Sequence, residues 1–112
     1  MKILKPEYSR IDERGKLIQL ISGDWKQANL IEIKRGHKFG GHYHKKKNEF
    51  FYVLKGHVMV MVSKDDITQS VFVTEGGCFL IEPYDKHTFE AIEDTLIIEL
   101  LSHKYSEEDT YE

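Results

Sequence analysis

Two histidines one residue apart, His42 and His44, are followed five positions later by Glu49. Residues two apart in a strand project from the same face, so the two imidazoles can present themselves side by side. The polar stretch 45–48 lets the chain turn, and Glu49 opens an apolar run (EFFYVL) that can return a carboxylate to the same spot. A later histidine, His87, lies in the last third of the chain, where a closed barrel could fold it back over the others. Three imidazoles and one carboxylate suit a divalent transition metal: Zn, Fe, Mn, Ni or Cu. Four protein ligands leave positions of a six-coordinate ion open to a substrate, which separates a catalytic centre from a closed structural one. The bland reading of His-x-His beside three lysines is a solvated turn. Glu49, the glycines at 36 and 56 and the strand-like surroundings weigh against it. His37, His57 and His103 have no partner at ligand spacing and read as structural or surface residues.

The elements that must position these groups are short. Residues 16–22 and 25–34 are β-prone, the second with the alternation of a half-buried strand. Residues 36–41, with Gly36, Gly40 and Gly41, read as a loop. Strands are expected at 49–54, 57–63, 67–74, 78–81, 87–90 and 95–101, separated by turn residues. The run 57–63 (HVMVMVS) is apolar on both faces and is expected to be buried on both. Residues 1–16 are mixed and charged, with Pro6 arguing against a helix and Asp12-Glu13-Arg14-Gly15 reading as a turn. No window has helical periodicity, so the fold class is all-β, an antiparallel sandwich or barrel. The acidic end, 106–112, reads as a solvated tail, with a short C-terminal helix as the alternative.

The chain has 112 residues, enough for one small domain, with a barrel core expected over about 15–102. A net charge of −3 gives no nucleic-acid surface, and no apolar run is long enough to span a membrane. The opening residues lack the apolar core of a signal peptide, and the single cysteine, Cys78, reads as a buried structural thiol. The cytoplasm is the expected location. A small jelly roll leaves sheet edges open, and residues 17–21 could add to a partner's sheet, so a homodimer is expected.

These residues resemble the cupin family, whose first motif reads G-(x)5-H-x-H-(x)4-E-(x)6-G. Gly36, His42, His44, Glu49 and Gly56 match it without a gap. The resemblance implies a double-stranded β-helix, or jelly-roll, barrel with His42, His44 and Glu49 as metal ligands. The second cupin motif places His87 as the fourth ligand, with Glu82 and Tyr84 standing where the family has proline and glycine. A narrower resemblance joins residues 12–17, 27–29, 41–44 and 104–109 to cupins that act on nucleotide-linked sugars. Those are deoxysugar epimerases, ketoisomerases and a capsule-synthesis barrel. In the epimerases a histidine matching His42 is the general base, without metal. An arginine three residues earlier is replaced here by Phe39.

Three functions follow as expectations. The first is a metal-binding cupin acting on a small polar or carbohydrate-like molecule, with Phe51, Phe89, Met59 and Met61 beneath the ion or simply filling the core. The second is a metal-independent sugar-nucleotide isomerase or epimerase. There His42 or His44 would remove a proton and Tyr52 or Tyr84 return one. Lys45, Lys46 and Lys47 would hold a diphosphate or form a solvated loop. The third is a non-catalytic module that binds a small ligand.

Overall fold

The computed structural model describes residues 1–112. It contains eleven strands: β1 (Lys2–Leu4), β2 (Tyr8–Asp12), β3 (Gly15–Gln19), β4 (Gln27–Ile33), β5 (Lys38–His42), β6 (Glu49–Lys55), β7 (His57–Lys64), β8 (Ile67–Thr74), β9 (Cys78–Ile81), β10 (Lys86–Ala91) and β11 (Thr95–Leu101). A five-stranded sheet in the order β1-β9-β6-β11-β4 faces a four-stranded sheet in the order β5-β10-β7-β8. All pairings are antiparallel, which makes this a jelly roll. The one helical turn is a 3-10 segment at Glu107–Asp109, and no helix is long and apolar enough to cross a membrane.

Side-chain alternation divides the barrel interior into two zones. Phe51 and Val53 on β6, Val58, Val60 and Val62 on β7, Phe89 and Ala91 on β10, and Ile97 on β11 fill one continuous core. Three phenylalanines knit its centre: Phe51 stacks on Phe79 at 5.1 Å, and Phe89 meets both edge-on. Each ring fully withdrawn from water contributes roughly 1.5–3 kcal/mol. Continuing along the same inward faces, the residues turn polar: Gln27 and Asn29 on β4, Glu49 on β6, His87 on β10 and Glu99 on β11. The barrel is thus plugged with hydrocarbon at one end and lined with chemistry at the other.

Several expectations change here. The segment 36–41 is not all loop, because β5 begins at Lys38 and pairs with β10. β7 is buried on its valine face only; His57 is exposed, and Met59 and Met61 are half-buried on the outer face. Those methionines therefore do not lie beneath the site, whereas Phe51 and Phe89 fill the core. Residues 1–16 hold two strands, and β2 and β3 form a separate hairpin. Cys78 is buried in a second apolar cluster with Phe50 and Tyr52 on the back of the five-stranded sheet, and burial raises its thiol pKa. The acidic end is no free tail. Tyr111 pairs with Tyr43 through both backbone hydrogen bonds, 2.8 and 3.0 Å.

Candidate active site

His42 closes β5, His44 follows it, Glu49 opens β6 and His87 lies near the start of β10. His87 and His42 are direct cross-strand neighbours, and a bulge follows immediately between His87 and Thr88. Such an irregularity re-aims side chains at a sheet edge. Gly40 makes the close approach possible: a Cβ there would lie 2.7 Å from the His87 carbonyl oxygen, and its φ of +110° disfavours any other residue.

The four residues meet. One ring nitrogen from each of His42, His44 and His87 lies within 4.8 Å of the others. Glu49 Oε1 is 3.2 Å from His44 Nε2 and 3.4 Å from His87 Nε2. The far sides of two rings are fixed by the backbone. His44 Nδ1 is 2.6 Å from the Asp109 carbonyl oxygen, and His87 Nδ1 is 2.9 Å from that of Asp85. A carbonyl only accepts, so both Nδ1 atoms carry the hydrogen and both Nε2 atoms, when the rings are neutral, present lone pairs toward Glu49. His44 Nε2 and Glu49 Oε1 are buried without a hydrogen-bond partner, their contact being close but misaligned. Two facing acceptors need a cation between them, a proton or a metal ion.

Charge is graded across the site. Burial, followed by the neighbouring His87 and His44, pushes His42 down to about 4, so it is a neutral imidazole at pH 7. Burial also opposes charge on His44, but Glu49 and the Asp109 carbonyl outweigh it and lift its pKa above the ordinary value. For His87 burial prevails over the Glu49 carboxylate, and the shift is downward. Burial works against an ionised Glu49, yet His44 and His87 hold its pKa at about 2. The neighbouring Glu99 goes the other way, raised to about 7 by burial and then by its hydrogen bond to Glu49. One carboxyl of this touching pair is charged while the other keeps its proton at mildly acid pH.

A cavity of about 180 Å³ opens beside the cluster, lined by His42, His44, Lys47, Glu49, Glu99 and Tyr105 among others. Phe39 also lines it, in the place of the family arginine. A larger cleft of about 750 Å³ lies outside the barrel around Tyr43, Tyr84, Lys64 and Lys86 and includes none of the four clustered residues. Tyr52 is in the apolar cluster on the back of the sheet, and Tyr84 is exposed and stacks on Tyr43 outside the barrel. Neither borders the cavity, so neither is the proton-returning tyrosine expected from sequence. Lys45 and Lys46 are exposed, but Lys47 is only 3% exposed, which overturns the picture of a uniformly solvated lysine loop.

Sequence reasoning missed Glu99, and it gave Asn29, Lys47 and the tail no place at the cluster. Glu99 was detectable: on β11 it shares a face with Ile97 and Leu101, an inward carboxyl in an apolar strand. Asn29 lies opposite it across the sheet and donates a 2.8 Å hydrogen bond to its Oε1. The tail contributes the Asp109 carbonyl to His44, and the Asp109 carboxylate accepts from the Lys45 and Lys46 amides. No sequence spacing signals those contacts.

The cupin domain profile matches residues 29–104. The chain belongs to the cupin family. No curated protein matches this cupin. Among solved structures it is similar to a double mutant of the 3,4-ketoisomerase QdtA of Thermoanaerobacterium thermosaccharolyticum, solved in complex with TDP. The two share 24% identity with a TM-score of 0.83, over 96% of this chain and 83% of that one. It also resembles the dTDP-4-dehydrorhamnose 3,5-epimerase of Sulfolobus tokodaii, at 22% identity and TM-score 0.78, over 96% of this chain and 73% of that one. The capsular polysaccharide assembling protein CapF of Staphylococcus aureus is similar at 25% identity and TM-score 0.72, over 99% of this cupin but 32% of CapF. The likeness to the first two establishes a shared fold.

Proposed function

We propose that this cupin is an isomerase-type enzyme that shifts a proton beside the keto group of a carbohydrate-like, nucleotide-linked substrate. The observation that carries the reading is the cavity wall itself. A neutral imidazole, His42, with no hydrogen bond to either ring nitrogen, stands beside a carboxyl pair split between about 2 and about 7. Groups whose environments drive their pKa values apart are what proton transfer in both directions requires. At about 180 Å³ the cavity is smaller than a drug-sized pocket and suits one sugar ring, with any nucleotide lying outside. The likeness to a ketoisomerase and an epimerase of nucleotide sugars supports this choice of substrate class. Phe39, which cannot grip a diphosphate, implies that a nucleotide would be held differently here.

The test is exchange in D2O. TDP-4-keto-6-deoxyglucose, bound by a variant of the similar ketoisomerase, is the first substrate to try. Deuterium entering the carbons beside the keto group, read by NMR and lost in His42→Asn, is the expected result. A protein that exchanges no such proton in this or related keto sugars is not an isomerase of this kind.

A second reading rests on the facing lone pairs of His44, His87 and Glu49. These residues fit a divalent ion, with His42 completing the set. An ion at 2.0–2.1 Å from its ligands holds trans nitrogens about 4.2 Å apart and tetrahedral ones about 3.4 Å, so the cluster, within 4.8 Å, would have to draw in by about 0.6–1.4 Å at its widest. Bound there, the ion would supply Lewis-acid polarisation of a substrate oxygen. The Asp109 and Asp85 carbonyls would orient the two imidazoles, and Glu99 rather than His42 would be the free proton carrier. Elemental analysis of untagged protein decides: about one ion per chain, lost in His44→Ala, supports the site, and metal-free protein that takes up no added ion removes it.

We also propose that the partner is a second copy of the chain. Every residue of the β2–β3 hairpin but Ile18 is exposed, Ile11 and Leu17 among them, and an isolated two-stranded hairpin is marginal in water. A monomer mass in sedimentation, unchanged by concentration, refutes the dimer.

A further inference from the structure

We propose that Lys47 is the group that grips the substrate oxygen on which negative charge develops, an inference that rests on the isomerase reading for the identity of that oxygen. The starting point is a contradiction within three consecutive lysines. Lys45 and Lys46 reach solvent, as lysines in polar loops do, while Lys47 is 3% exposed. A long flexible stem ordinarily runs out to solvent, so a lysine folded inward next to an open surface needs a reason.

The surrounding protein does not supply a full one. No carboxylate lies within ion-pair range of Lys47 Nζ, and no hydrogen bond involves it. The contact described for it is the ring of Tyr105, whose centroid is 5.3 Å away. A cation over an aromatic face gains modestly and leaves its three N–H donors without acceptors. The nearby carboxyls are already engaged. Glu49 faces His44 and His87, and Glu99 accepts from Asn29. Lys47 is also the only lysine or arginine lining the cavity. A lysine whose stem is buried, and which lines a ring-sized cavity with no protein acceptor on its Nζ, is a receptor for an oxyanion. The size of the cavity excludes a diphosphate seated beside a sugar ring, so the partner is a single oxygen on that ring.

The chemistry follows with its electrons balanced. When the carbon beside the keto group loses its proton to the accepting side chain, the C–H pair becomes a carbon–carbon double bond. The carbonyl π pair moves onto oxygen. Reprotonation of the same carbon on the other face reverses both movements and restores a neutral, epimerised keto sugar. In a ketoisomerisation the enolate oxygen instead takes the proton of the neighbouring hydroxyl, whose oxygen becomes the new carbonyl as the double-bond pair takes up a proton at the former carbonyl carbon. Donors already oriented in a water-poor site stabilise the oxygen as it charges, with no reorganisation at that moment. A ligand lacking that oxygen leaves the ammonium unpaired and is rejected.

The probe is tropolonate, a planar ring carrying adjacent oxygens and one negative charge. Its binding is measured by calorimetry at pH 8 in EDTA, so that chelation by an ion cannot supply it. The wild-type protein is expected to bind it. Lys47→Met should bind about ten- to a hundred-fold more weakly with an unchanged circular dichroism spectrum, and Lys47→Arg should recover part of the loss. Should Lys47→Met fail to fold, the wild type alone suffices. The ammonium ¹⁵N–¹H signal of Lys47 must then shift on adding tropolonate. No binding by the wild type, equal binding by Lys47→Met, or an unmoved signal each overturn the proposal. Lys47-dependent binding in a protein that exchanges no sugar proton leaves it standing and ends the isomerase reading instead.

Discussion

Glu99→Gln should make the metal-free protein more stable in alkali and no different in acid. The Glu99 carboxyl has an ordinary value of 4.5 and is raised to about 7 in the folded chain, by burial and then by Glu49. A raised carboxyl favours the folded state fully below 4.5, and that contribution is lost as pH climbs through 7. The difference of about 2.5 pH units corresponds to roughly 3 kcal/mol at most, using about 1.36 kcal/mol per unit. Glu99 is 8% exposed, so solvent screening removes little of it. Glutamine has the same shape, can still accept from Asn29 and can donate toward Glu49, so it mimics the protonated acid at every pH. Urea unfolding in EDTA should show a gap between variant and wild type that opens between pH 5 and pH 8, reaching about 2–3 kcal/mol in favour of the variant at pH 8. Parallel pH profiles for the two proteins, or a variant weaker at pH 8, would refute the claim that a strained carboxyl pair lies in this barrel.

Other outcomes follow from the same contacts. Glu49→Gln should flatten the acid limb: a carboxylate held near 2 supports the fold above 4.5 and gives up that support as pH falls toward 2, which acid titration by circular dichroism would show. Gly40→Ala should cost about 1–3 kcal/mol, because the new methyl meets the His87 carbonyl; an unchanged unfolding midpoint counts against it. Tyr84→Gly should relieve a left-handed residue with φ of 71°, worth roughly 1–2 kcal/mol, against the loss of stacking on Tyr43. A net change beyond about 1 kcal/mol in either direction would show that one of these two terms dominates.

The sequence was most informative where periodicity and motif coincide. Alternation on β7 and β11 marks strands, and the spacing of Gly36, His42, His44, Glu49 and Gly56 marks both the fold and the first three members of the cluster. His87 was placed by its position in the last third of the chain and by an imperfect second motif, and the structure puts its ring 4.8 Å from that of His42. Tyr84 illustrates a partial reading: it occupies the family's glycine position and adopts the positive φ that glycine would, so the backbone constraint survived the loss of the residue that usually meets it. What stayed hidden is tertiary. Lys47 and its two neighbours are the same letter, and only the turn into β6 decides which one faces inward. The tail reads as seven polar or aromatic residues with no period, and its attachment depends on a backbone bridge to Tyr43.

That attachment has a consequence for synthesis. His44 and the carbonyl that steadies its ring are 65 residues apart in the chain. The ribosome therefore delivers the imidazole long before its anchor, and β10 and β11 must emerge in between. A chain halted just short of residue 109 could close its two sheets and still leave His44 free to swivel. Such a product would look folded to a chaperone or a protease while its histidine cluster stayed unset.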